Sequence, residues 1–214
     1  GLLAFKANVN KDYVIKIPPM ACDPYNADFD GDQMAVYVPL YDKTENECAE
    51  KLAFTSNLIS PSTGNLIVGI NQDMVLGLYL LTKKDEGNEI DYNGIKTYEG
   101  RVKFNSIFPS NWPFINKTIT KKELTALLNV LSKMATKEEL ITILDKIKEL
   151  GFRETTLRGT TMSLKSMRVP ECFSRVQEIC DSETLSINQK HFLLNSDDIT
   201  QQIKESFPYR DFID

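Results

Sequence analysis

The sequence is poor in the residues that build soft-metal and disulfide centres. Its single histidine, His191, has no metal partner nearby in sequence and reads as a surface residue. Its four cysteines, Cys22, Cys48, Cys172 and Cys180, form no C-x-x-C pair. Zinc and disulfide readings are therefore weak, and the cysteines read as small buried hydrophobes in a reducing compartment. No apolar run is long enough to cross a bilayer, so no membrane association is expected. No basic stretch with an apolar core follows Gly1, so no secretory leader is expected. A basic surplus is missing too, since 25 Lys and Arg stand against 30 Asp and Glu, for a formal net charge of -5. A free-standing nucleic-acid binder shows the opposite balance. If this chain works on nucleic acid, other chains must supply much of the positive surface. There is no internal repeat and no low-complexity tract.

What remains is an ordinary globular composition. With 214 residues, 42% of them hydrophobic, the chain can bury one large or two small cores. The opening stretch reads as strands and loops, with Ile15-Lys16-Ile17 alternating before Pro18-Pro19 stops it. Met34 to Leu40 is a short apolar run that suits a buried strand. Thr44 with Glu47 predicts a capping box and a helix through Ala49, Leu52 and Ala53. Ser60 to Asn65 is a turn by composition. Met74 to Leu81 is apolar nearly all round and predicts a buried helix.

Residues 83–116 are polar and rich in Gly and Pro. They read as loop with short strands around Ile95 and Val102–Phe104, and as a boundary between two lobes. Two more capping boxes follow, Thr120 with Glu123 and Thr136 with Glu139. The second opens a helix that lines up Leu140, Ile143, Leu144, Ile147 and Leu150, with Gly151 ending it. Residues 170–214 read as a mostly helical, exposed section. Trp112 beside Pro113 reads as packing.

The chemistry concentrates in Tyr25-Asn26-Ala27-Asp28-Phe29-Asp30-Gly31-Asp32-Gln33-Met34. Along a regular strand the three carboxylates would share a face but sit too far apart to meet at one ion. In a tight loop, which Gly31 permits, they can converge. Their mutual repulsion makes such an arrangement costly without a cation, and magnesium is the natural partner for hard oxygen donors. A solvated acidic turn competes with this reading, since Asp and Gly are common in turns. A calcium loop of the EF-hand type fails, because it wants Gly where Gln33 stands and Glu where Pro39 stands. A phosphatase-like D-x-D-G site wants a long apolar strand before the first Asp, and Cys22-Asp23-Pro24-Tyr25-Asn26 is not one.

Asn26 to Asp32, NADFDGD, resembles the signature of the largest subunit of multisubunit RNA polymerases. Gln33 to Val36 followed by Val38-Pro39-Leu40 is similar to the bacterial β′ form. Gly1 to Phe5 resembles its G-x-x-A-F. Asn57 to Pro61 resembles N-I-L-S-P, and Gln72 to Tyr79 resembles Q-D-x-V-L-G-L-Y. Gly151, Phe152, Thr156, Gly159, Met167 and Pro170 fall at the family's spacing before the rim helices of the secondary channel. The resemblance is tight through Thr82, loose to Lys148 and recognisable again to Pro170. Asn65-Leu66 and Ile70-Asn71 depart from the family's pattern.

The resemblance implies an α+β fold in which part of a double-psi β-barrel carries the metal loop, followed by a mostly helical secondary-channel region. The implied segments are a barrel portion with the following helices at 1–82, and a divergent linker with short strands at 83–118. A helical region at 119–170 leads to the secondary channel, and a helical rim-like segment occupies 171–214. The resemblance implies that Asp28, Asp30 and Asp32 are catalytic and hold Mg2+, with a second ion arriving with the nucleoside triphosphate. Asn26 would contact the ribose of the incoming nucleotide, an amide being suited to a 2′-hydroxyl; a turn-stabilising side chain is the alternative. Tyr25 and Phe29 would pack to fix the loop, and Gln72-Asp73 would cap the buried helix or brace the barrel, with a direct nucleic-acid or subunit contact as the alternative. Arg153, Arg158, Lys165 and Arg168, interleaved with Thr155, Thr156, Thr160 and Thr161, read as a solvated surface or as a face near nucleic acid or triphosphate.

The implied activity is DNA-directed RNA synthesis by nucleotidyl transfer. The implied partners are a β-like chain, the remaining β′ segments, template DNA, nascent RNA and nucleoside triphosphates. A non-catalytic polymerase-like scaffold is the alternative. The family's active-site arginine segment, bridge helix and trigger loop are not in this sequence, so a split subunit or an excised fragment is expected. The expected source is a large bacteriophage with a split polymerase acting in the bacterial cytoplasm, with an organelle as the alternative.

Overall fold

The computed structural model describes residues 2–84, 87–161, 163 and 169–206. Roughly half of the chain is helical, and the sheet among the described residues is one two-stranded antiparallel ribbon. Packing divides the chain into two units, Gly1–Leu157 and Arg158–Asp214.

The core of the first unit is built on helix α3, Asp73–Thr82, after two shorter helices, α1 at Cys22–Tyr25 and α2 at Asp42–Glu47. Met74, Val75, Leu78, Tyr79, Leu80 and Leu81 of α3 are all buried. This is the outcome expected of a segment with apolar residues on every side. Next come strands β1 (Glu89–Tyr92) and β2 (Ile95–Tyr98), paired from Glu89 opposite Tyr98 to Tyr92 opposite Ile95. Asn93 and Gly94 join them, both with positive φ (53° and 80°), the backbone a tight two-residue hairpin needs.

Helix α4, Glu99–Asn105, follows directly. The strand expected at Val102–Phe104 is therefore a helix. Arg101 and Phe104, three residues apart, are both buried on one face of it. The segment expected to form a boundary between lobes lies inside the first unit. Arg101 fixes it there, with Nε donating to the Thr82 carbonyl at 3.0 Å and Nη1 to Asn116 Oδ1 at 2.9 Å. Asn105 pins the return loop by exchanging hydrogen bonds with the Ile115 backbone at 2.8 and 2.9 Å. Trp112 stacks on Phe108, with ring centroids 6.3 Å apart.

Helices α5 (Lys121–Met134) and α6 (Lys137–Arg158) complete the unit. Thr120 caps α5 by accepting the Glu123 N–H. Thr136 and Glu139 form a reciprocal box at α6, at 2.9 and 3.3 Å. Leu140, Ile143, Leu144 and Ile147 are buried as their spacing predicts, while Leu150 is half-buried. Gly151 does not end α6, which runs to Arg158. Its missing side chain serves packing instead, because a Cβ there would lie 2.4 Å from the Met74 carbonyl oxygen.

The strands expected early in the chain do not form among the described residues. Val9, Tyr13, Val14 and Ile15 are exposed, as are Val36, Tyr37, Val38 and Leu40. A strand needs a hydrogen-bonded neighbour, and these runs have none apart from an isolated bridge between Ala4 and Ala53. Helix α2 starts two residues before Thr44, and the Tyr41 carbonyl accepts the Thr44 and Glu45 N–H groups at 2.9 Å. The expected Thr44 cap is thus inside the helix, and Cys48–Leu52 widens into a π turn. The Ser60–Asn65 turn forms as expected, closed by the Ser60 N–H on the Asn65 carbonyl at 2.8 Å.

The second unit carries α7 (Phe173–Asp181), α8 (Ile187–Leu194) and α9 (Asp197–Ser206). They close on Cys172, Ile179 and Ile199, so the helical expectation for this region holds among the described residues. Of the four cysteines only Cys172 is buried. Cys22 and Cys48 are half-buried and Cys180 is exposed, against the expectation that all four are core residues.

Candidate metal centre

The approach to the aspartate loop is short and heavily constrained. Pro19 opens a 3-10 turn over Pro19–Ala21, where a fixed φ is favourable, and Met20 and Ala21 are buried. Helix α1 follows and lasts one turn. Asn26 ends it in the left-handed region, φ 48° and ψ 45°, a conformation that asparagine tolerates better than most residues. The Asn26 N–H donates to the Asp23 carbonyl and that of Ala27 to the Cys22 carbonyl, both at 3.0 Å. The chain then enters the loop with its direction set.

Within the loop, side chains and backbone bond to each other. The Asp28 N–H donates to Asp32 Oδ2 at 3.1 Å, and the Asp30 N–H to Asp28 Oδ1 at 3.2 Å. Gly31 sits at φ 126°, a backbone that a side chain would strain. The result is convergence: one carboxylate oxygen from each of Asp28, Asp30 and Asp32 lies within 4.8 Å of the others, and all three residues are exposed. Among the described residues no other three His, Cys, Asp or Glu side chains gather this way.

The electrostatics follow from that geometry. The Asp30 carboxyl is held above its ordinary range, first by a hydrogen bond with the Asp28 side chain, then by the Asp28 charge, slight desolvation and the Asp32 charge. Protonation relieves the crowding, and so would a cation. Oxygens bound to one magnesium ion at ~2.1 Å stand roughly 3–4 Å apart. The three carboxylate oxygens, all within 4.8 Å of one another, are close to that range. An all-oxygen, anionic donor set open to solvent fits a hard divalent cation that keeps some of its water shell.

Asn26 is exposed and lines a cavity of about 460 Å³ together with Cys22, Asp23, Ala27 and Asp28. Its backbone role in ending α1 and its place beside Asp28 are both present. Tyr25 packs near Phe5, with ring centroids 6.5 Å apart, as expected of a loop-fixing residue. Phe29 does not pack, being 76% exposed. Gln72 precedes α3 at φ 51° and caps it through its carbonyl, with no side-chain hydrogen bond.

Arg153 and Arg158 are exposed, whereas Lys165, Met167 and Arg168 lie outside the described residues, as does Gly1. The threonines beside the arginines turn back on the backbone. Thr155 Oγ1 donates to the Asp73 carbonyl at 2.7 Å and Thr156 Oγ1 to the Phe152 carbonyl at 2.8 Å. His191 is exposed, as expected.

One feature of the site has no counterpart in the sequence pattern. The Asn71 amide nitrogen donates to both carboxylate oxygens of Asp23, at 2.8 Å each. Two residues separated by 48 positions give no local signal of this contact.

The family described as RNA polymerase Rpb1, domain 2, matches residues 1–54, which include the whole aspartate loop. RNA polymerase Rpb1, domain 3, matches residues 57–108. DNA-directed RNA polymerase subunit beta′ of Aquifex aeolicus is 35% identical over 209 residues, covering 83% of this chain and 13% of that subunit. The Borrelia hermsii subunit of the same name is 38% identical over 201 residues, covering 80% and 15%. The chain belongs to the family of RNA polymerase β′ subunits. It spans about one seventh of the length of these β′ relatives. The β′ match takes in the aspartate loop, helix α3 and the β1–β2 ribbon, elements the geometry places in one packed unit.

Proposed function

We propose that this chain forms the catalytic centre of a DNA-directed RNA polymerase, with Asp28, Asp30 and Asp32 holding the magnesium ion used in nucleotidyl transfer. The observation that carries this reading is the convergence of the three carboxylates on a loop inside the family's matched region. Bound there, magnesium would acidify the RNA 3′-hydroxyl and neutralise charge on the triphosphate, with a second ion entering alongside the nucleotide.

The chain's own contribution is positioning. The Asp28–Asp32 and Asp30–Asp28 backbone bonds hold the carboxylates in register before any ion arrives. Asn26, beside Asp28, presents an amide that can both donate to and accept from a ribose 2′-hydroxyl. A cation would displace the proton that the Asp28 neighbour helps Asp30 to retain. The exposed apolar runs at 5–17 and 34–41 would be covered by further strands of a double-psi barrel supplied by the rest of the subunit. A β-like chain, template DNA, nascent RNA and nucleoside triphosphates complete the working enzyme. A net charge of -5 accords with basic surface coming from those partners. The bacterial sources of the relatives favour the bacterial cytoplasm, including that of a phage-infected cell, as its setting.

The test is primer extension on a nucleic-acid scaffold by the complex that co-purifies with this chain. Extension by wild type and none by Asp30→Ala is expected. Equal extension by both would place the active site in another chain and make this one a scaffold.

A further inference from the structure

The carboxylate loop bonds mostly to itself, so something else must hold it in place. Its inner anchor is α1, a single turn that is too short to be stable alone. Two contacts tie α1 and the 3-10 turn before it to the core. The Gly69 N–H donates to the Met20 carbonyl at 3.1 Å, and the Asn71 amide bridges both Asp23 oxygens at 2.8 Å. Gly69 makes room for the second contact, because a Cβ there would fall 2.4 Å from Asp23 Cγ. Asn71 in turn belongs to the start of α3, its carbonyl accepting the Met74 N–H at 3.2 Å. Helix α3 is the most deeply buried element of the unit. The path from rigid core to metal loop therefore runs through α3, Asn71, Asp23, α1 and Asn26 to Asp28.

We propose that Asp23 and Asn71 are a positioning pair, which holds α1 on the start of α3 and so keeps the aspartate loop at the spacing that a divalent cation needs. This rests on the metal-holding reading above. An amide donating to a charged carboxylate is stronger than a neutral hydrogen bond, and the two-oxygen grip fixes the orientation as well as the distance. The pair touches no reacting atom and acts through the loop.

The experiment uses the co-purifying polymerase complex and reads two quantities, Mn2+ affinity by electron paramagnetic resonance and the rate of primer extension. Asn71→Asp sets two carboxylates against each other. Both quantities are expected to fall roughly tenfold, the size typical of coupled neighbouring residues, with assembly of the complex unchanged. The exchange Asp23→Asn with Asn71→Asp restores an amide facing a carboxylate, and both quantities are expected to return to within about twofold of wild type. Wild-type values in Asn71→Asp, or no recovery in the exchanged pair, would overturn the proposal. Should Asn71→Asp alone fail to assemble, the exchanged pair decides: recovery supports the pair and failure to recover overturns it. Asp30→Ala runs alongside. If it keeps Mn2+ and extension, the metal reading falls and takes the positioning pair with it. If it loses both while Asn71→Asp behaves as wild type, only the positioning pair falls.

Discussion

Gly77 and Gly151 meet backbone to backbone, so closely that a methyl group on Gly77 would lie 1.9 Å from the Gly151 carbonyl oxygen. This crossing of α3 and α6 holds the helix whose first turn the Asn71 carbonyl joins. Gly77→Ala must push the helices apart, since the obstacle is backbone and not a movable side chain. A loss of roughly 3 kcal/mol or more is expected. Thermal unfolding followed by circular dichroism checks it, and an unchanged midpoint would show that the helices do not cross this way.

Arg101 gives a second prediction. Its guanidinium is buried and satisfies the carbonyls of Thr82 and Asn116 together with the Asn116 side chain. It also lies over the Tyr98 ring, 5.1 Å from the centroid. Arg101→Ala takes the guanidinium from the buried Thr82 carbonyl, which keeps only the long Thr118 contact, and from Asn116, whose side-chain oxygen keeps the Thr97 hydroxyl, at a cost of about 2 kcal/mol. Arg101→Lys is expected to rescue little, because an ammonium lacks the planar fork that reaches both acceptors. Urea unfolding of the three proteins separates these outcomes.

The aspartate loop should respond to pH in a definite direction. The Asp30 carboxyl is raised by its Asp28 neighbour, so the folded chain keeps that proton to a higher pH than the unfolded chain does. Between the ordinary aspartate value and the raised one, the folded state binds more protons. Metal-free stability therefore falls as pH rises through that window. Asp28→Asn removes the Asp28 charge that helps raise the value and should bring Asp30 down. Carbon-detected NMR titration of the aspartate carboxyls checks this, and an Asp30 value indifferent to Asp28→Asn would contradict the described geometry.

The cap of α6 predicts the reverse dependence. Hydrogen bonds from the Thr136 N–H and hydroxyl hold the Glu139 carboxyl below its ordinary range. Its stabilising effect is complete above the ordinary glutamate value and disappears as pH falls through the lowered one. Thr136→Ala should lower the melting temperature at neutral pH and lower it less in acid. Equal losses at both pH values would show that the carboxylate does not belong to the cap.

Most local signals are legible in the sequence and non-local ones are not; the Thr44 cap, overtaken by a helix that starts at Asp42, is the local exception. The Thr120 and Thr136 caps, the all-apolar Met74–Leu81 helix and the Ser60–Asn65 turn each depend on residues a few positions apart, and each forms. Asp28, Asp30 and Asp32 are legible because the loop is five residues long and Gly31 permits its turn. Gly151 mimics a helix end in the sequence, because its reason for being small is Met74 on another helix. Val102–Phe104 mimics a strand, and burial of Arg101 and Phe104 against other elements outweighs that local preference. The apolar runs at Ile15–Ile17 and Met34–Leu40 have strand character, and strands form only where a partner pairs with them. Asn71 on Asp23 spans 48 positions and leaves no trace in the pattern.

The most direct test of the central claim is to locate the ion. Fe2+ replaces Mg2+ in the assembled complex, peroxide generates hydroxyl radicals at the bound iron, and the cuts in this chain are mapped by mass spectrometry. Metal held by the aspartate loop predicts backbone cuts clustered around residues 28–32, suppressed by excess Mg2+ and absent in Asp30→Ala. Cuts that fall elsewhere, or that persist at the same positions in Asp30→Ala, would contradict it.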